Sequence, residues 1–122
     1  MTIGQILGWV DSLHPNAYTR QEKIRWLSAA EGFLYRAIEP LHQSNRFFEG
    51  FTEETSLSTP LLAVEPYHFI YHHYLEAQMC YASGDIEGYN NAMLLYNRLM
   101  NQFWRYYHTS HKPMGCSLSV LS

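Results

Sequence analysis

The sequence predicts an all-α, four-helix, bundle-like single domain, with a long aromatic loop between helices two and three and an irregular C-terminal tail. Three observations carry that expectation. Apolar residues recur at helical spacing in four segments, and capping residues stand where those segments open. Ser83-Gly84-Asp85 joins the last two segments by so short a link that they must pack as antiparallel neighbours. The stretch from Glu65 to Tyr107 is therefore a helical hairpin, and it reads as the scaffold of the domain.

Taken in order, Thr2 and Gln5 form a capping box for a helix over about 3–14, whose face is Ile3, Ile6, Leu7, Val10 and Leu13. Pro15 disfavours helical geometry at His14, and Asn16 suits a turn, so residues 14–18 make a corner. Thr19 and Glu22 form a second capping box, opening a helix over about 20–39 with Ile24, Leu27, Leu34 and Ile38 inward. Gln21, Arg25, Ser28, Gly32 and Arg36 fall on its solvated side, and Pro40 is expected to end it.

Residues 41–64 lack a period, and a connection of that length in a small domain is either functional or disordered. Phe47, Phe48 and Phe51 around Gly50 suggest a folded loop, with two readings: the rings plug the end of the bundle, or they form part of a docking surface. Pro66 is favoured at a first helical position, so the third helix is expected over about 66–83. Tyr67, Ile70, Tyr71, Tyr74, Leu75, Ala77, Gln78 and Tyr81 form its inner face, and His68, His72, Glu76, Met79 and Ser83 the other.

Gly84 suits a left-handed C-cap and Asp85 caps the fourth helix, expected over about 86–108. That helix turns Ile86, Tyr89, Ala92, Met93, Tyr96, Leu99, Met100, Phe103 and Tyr107 inward, and Glu87, Asn91, Arg98, Asn101 and Arg105 outward. The remainder, 109–122, reads as a flexible tail unless a partner orders it, with Leu118, Val120 and Leu121 its apolar candidates for contact.

Composition removes whole classes of function. The 122 residues suit one domain able to bury roughly two-thirds of the surface its unfolded chain exposes. A net charge of -3 with 16% charged residues gives a weak field and no basic footprint, so sequence-specific nucleic-acid binding is not expected. No apolar run approaches the ~20 residues needed to span a bilayer, so no membrane partner is expected. The opening MTIGQILGWVDSL lacks the cationic start of a secretion signal. Cys80 and Cys116 stand in no motif and suit a reduced compartment, where a disulfide is not needed.

Several patterns resemble active sites and are weighed against plainer explanations. His68, His72 and Glu76 lie at i, i+4 and i+8, a spacing able to present two imidazoles and a carboxylate to zinc. Such a site would normally draw a further ligand or base from another element, and no HExxH is present, so a solvated polar face is favoured and no metal site is assigned. His108 and His111, near the end of the fourth helix, suit the helix dipole. Burial should raise the pKa of Cys80, and neither a Gly-x-Ser-x-Gly elbow nor a phosphate loop exists, so no catalytic residue and no cofactor is expected.

The order of these segments carries a resemblance. HPNAY, then WLSAAEGFLYRAI, an aromatic connector, and TPLLAVEPYHFIYHHYLEAQMCYASGDIEGYNNAMLLYNRLMNQFWRYYHTSHKP are together similar to the small head-tail connector, or head completion, proteins of tailed bacteriophages and prophages. Its most specific pieces are Glu65-Pro66-Tyr67 with Tyr71, Tyr74 and Leu75, then Gly84-Asp85 followed by Tyr89-Asn90-Asn91. The resemblance implies a non-enzymatic structural protein that assembles as an oligomeric ring on the portal protein and meets a further head-tail joining or tail protein. It would reside in the virion neck, after assembly in the bacterial cytoplasm. It also implies that the loop and the tail meet the neighbours. An alternative is a small protein-binding or regulatory module, since YLEAQMCYASGDIEGYNNAMLLYNR resembles one tetratricopeptide-like helix pair.

Overall fold

A computed structural model describes residues 1–42 and 48–110, so Phe47, His111, Cys116, Leu118, Val120 and Leu121 lie outside the described residues. Four helices form: α1 (Ile3–Leu13), α2 (Arg20–His42), α3 (Phe69–Ala82) and α4 (Ile86–Ser110). The protein is all-α and bundle-like, with no strand among the described residues. Its centre is α3, which packs against each of the other three helices and most extensively against α4.

The expected caps form. The Thr2 side chain accepts from the Gln5 N–H at 3.2 Å while the Gln5 side chain accepts from the Thr2 N–H at 3.0 Å, satisfying two orphan donors at once. Thr19 and Glu22 repeat the exchange at the start of α2. Asn16 shapes the corner by accepting from the Tyr18 N–H and donating to the His14 carbonyl. Gly84 closes α3 at φ +82°, a conformation costly for residues with a Cβ, and Asp85 accepts from the Gly88 N–H at 2.9 Å to start α4.

The α3–α4 seam has a regular ladder of rings. Tyr81 meets Tyr89, Tyr74 meets Tyr96, and Tyr67 meets Phe103, with centroids 5.3–5.5 Å apart. Each pair is equidistant from Asp85 in sequence and successive pairs lie seven residues apart, the repeat of an antiparallel two-helix seam. Leu75, Ala77 and Ile70 fill the same core without exposure. The outermost rung is open, because Tyr81 is 64% and Ile86 56% exposed, against the inward positions expected of them. They sit beside the turn, where no other helix reaches over them.

Three helix ends differ from expectation. The third helix begins at Phe69, because residues 65–68 form a turn in which the Tyr67 N–H donates to the Val64 carbonyl at 2.7 Å. The second continues through Pro40 to His42, since a proline in a last turn forfeits a single ladder bond. At the far end α4 reaches Ser110, so Thr109 and Ser110 are helical and not the start of a tail.

The described part of the long connection, residues 48–64, is a structural part of the domain. Its carbonyls complete the N-terminus of α1: the Ile3 N–H donates to Thr59 O at 3.0 Å and the Gly4 N–H to Leu57 O at 2.8 Å. Gly4 permits that approach, because a Cβ there would stand 3.2 Å from the Leu57 oxygen. Further along, Glu31 of α2 is 2% exposed and accepts from the Leu62 N–H at 2.8 Å and the Tyr71 hydroxyl at 2.6 Å. The same hydroxyl accepts from the Ala63 N–H at 2.8 Å, so one buried carboxyl and one phenol fasten the connection to α2 and α3.

Candidate functional site

The second seam of α3, against α1, is where titratable side chains gather. Helical spacing puts His68, His72 and Glu76 on one stripe of α3, with His73 beside them. The sequence alone suggests a solvated stripe, but α1 covers it: His68 is 8% exposed and His72 half-buried. Trp9 of α1 lies against the rings of His68, Phe69 and His72 with centroids 4.9–5.4 Å away. Met79, expected on the same outer side, is also buried, and its carbonyl accepts from the Tyr18 hydroxyl at 3.3 Å.

The corner after α1 supplies the residue that α3 lacks. His14 is the C-cap of α1, its N–H bonded to the Val10 carbonyl, and its ring stacks on His72 at 5.1 Å between centroids. His14 Nε2 lies 3.0 Å from His72 Nε2, so one ring donates to the other. It also lies 3.5 Å from Glu76 Oε2, while His73 Nδ1 is 3.6 Å from Glu76 Oε1. One ligand-type atom from each of His14, His72 and Glu76 falls within 4.8 Å of the others. His68 takes no part in that trio.

Burial decides the charge on this seam. Burial lowers the pKa of His72 to about 4, with His73 adding to the effect and Glu76 opposing it, so its imidazole is neutral near pH 7. Burial likewise lowers His68. The Nδ1 atoms of His68, His72 and His73 are buried without a hydrogen-bond partner, an expensive arrangement for a seam whose only task is packing. An open groove of about 520 Å³, lined by the corner 14–18 and by Met79, Cys80 and Ser83, leads from solvent to His14. Burial pushes the Cys80 thiol up, with Asp85 and Glu76 adding to it, which leaves a weak nucleophile at the groove wall.

Among its described residues the aromatic loop lies along α2. Phe48 stacks on Tyr35 at 5.3 Å and meets Phe51 edge-on at 5.0 Å, and the Phe51 N–H donates to Ser28 Oγ at 3.0 Å. Both phenylalanines are half-buried against α2, which covers Ser28 and Gly32 on what reads as a solvated side. Large apolar side chains are exposed instead on α4. Leu94 is 59%, Leu95 40%, Trp104 43% and Tyr106 40% exposed. Leu95 and Tyr106 lie three turns apart on one flank, Trp104 lies on the other, and Leu94 stands between them among Arg98, Asn101 and Arg105.

The sequence names His72 and Glu76 through their spacing and misses His14, whose partnership depends on how α1 crosses α3. Glu31 is missed as well, because no local pattern marks a single acid that is buried by a distant loop. No protein-family model matches the chain, and comparison with curated proteins and with solved structures finds no match. No helix among the described residues is long and apolar enough to cross a membrane.

Proposed function

We propose that the chain is a structural adaptor without catalysis of its own, of the head-tail connector kind found in tailed phages, forming a ring on a portal protein at the virion neck. The observation that carries this reading is the outer side of α4, where Leu94, Leu95, Trp104 and Tyr106 leave large apolar surfaces in water. In a ring, each copy can cover one flank with its neighbour while the other faces the next component. The weak net charge of -3 is compatible with a conduit past which DNA slides without being gripped.

Phe48 and Phe51 pack in part on α2, so α4 joins the loop and the tail as a candidate contact surface. The test is co-sedimentation and electron microscopy of the chain mixed with the portal protein encoded beside it. Ring-shaped complexes are expected, and their loss in Leu94→Lys/Trp104→Glu with unchanged circular dichroism. Neighbouring genes that encode no portal or capsid protein, or a portal that the chain does not bind, would overturn the reading.

A further inference from the structure

We propose that His14, His72 and Glu76 form a binding site for one first-row divalent cation, zinc above all, which clamps the end of α1 onto α3. The argument starts from distances. Zinc holds imidazole nitrogen and carboxylate oxygen at about 2.0–2.2 Å, so two ligand atoms of one tetrahedron stand roughly 3.3 Å apart. His14 Nε2 stands 3.0 Å from His72 Nε2 and 3.5 Å from Glu76 Oε2, close to those edges.

The surroundings match what such a site requires. His72 and Glu76 are one helical turn apart on α3, a rigid element, and His14 comes from a different one held by its own corner. Trp9 supports the His72 ring on its apolar side, restricting its rotation. His73 Nδ1 stands 3.6 Å from the other carboxylate oxygen, Glu76 Oε1, near that group without a hydrogen bond to it. The groove at His14 provides an entry path, and the fourth position is left to water.

The donor set selects the ion. Two imidazoles and one carboxylate suit zinc, and also cobalt or nickel, whereas calcium and magnesium prefer all-oxygen shells. Without an ion, the His14–His72 hydrogen bond ties α1 to α3 with Glu76 3.5 Å from His14, and that is the competing description.

The test uses the tag-free chain, stripped with EDTA and dialysed, then titrated with ZnCl₂ near neutral pH by calorimetry. One zinc per chain is expected, with a higher melting midpoint that EDTA reverses, and Co²⁺ should give the intense visible bands of a four-coordinate site. His14→Ala, at a part-exposed corner, and Glu76→Gln should each weaken zinc binding roughly tenfold or more while helicity is retained. No binding, or equal affinity in wild type and His14→Ala, would overturn the proposal, the second by assigning the ion to other histidines.

Discussion

The two seams of α3 are built on opposite principles. Toward α4 it and the turn before it present tyrosines at heptad spacing with small or aliphatic residues between them, so the contact is apolar and fixed in register. Toward α1 it presents three histidines and a glutamate, with Trp9 and His14 opposite and several ring nitrogens unsatisfied. A packed aromatic ladder accounts for itself by area removed from water. A half-satisfied polar seam does not, and stability alone gives no reason to keep one where apolar residues would fit. The difference separates scaffold from candidate site within one helix of 14 residues.

Substitutions should expose that division, most strongly on the apolar side. Phe103→Ala empties a site that is 2% exposed in the innermost rung, and we expect a loss of about 4 kcal/mol in chemical denaturation. A loss below about 1 kcal/mol would show that the ladder does not carry the fold.

The next effect belongs to the buried polar anchor. Glu31→Ala strips the acceptor from the Leu62 N–H and the Tyr71 hydroxyl, and should cost about 3 kcal/mol. Burial raises the pKa of Glu31 above its ordinary 4.5, so the folded state resists its ionisation. Its contribution is complete below 4.5 and declines as pH rises through the raised value. Glu31→Gln should flatten that slope in a series of melts, and an identical slope in the variant would assign it to other groups.

The smallest effect is expected on the α1 side. His68 is buried with an unpartnered Nδ1 and lies outside the His14–His72–Glu76 trio, so His68→Leu should change stability by less than about 1 kcal/mol near neutral pH, or raise it. Because burial lowers its pKa below 6.5, wild type loses stability as pH falls under that value, when the unfolded chain takes up a proton that the fold refuses. The variant should lose less. A loss near that of Phe103→Ala would place both seams in the same class.

Legibility in the sequence followed the range of the interaction. Both capping boxes, the Asn16 corner, Gly84, Asp85 and most of the core are local patterns, and each stands where the residues indicate. Periodicity misjudges α3, because a helix contacted by three others buries residues on more than one side, and no local rule reveals that Trp9 covers its histidines. The spacing of His72 and Glu76 is legible at i and i+4, where it favours a solvated face, whereas their approach to His14 depends on the crossing of α1 over α3. The connection 48–64 looked irregular for the same reason: its order comes from α1 amides and from Glu31, both remote in sequence.

Amide hydrogen exchange, read residue by residue with and without one equivalent of ZnCl₂, compares the seams most directly. In metal-free protein the amides of α1 should exchange through an opening that leaves the Tyr96–Phe103 stretch of α4 protected, and zinc should slow α1 while leaving α4 unchanged. Equal protection of both helices, with no response to zinc, would contradict the division of α3 into a scaffold face and a binding face.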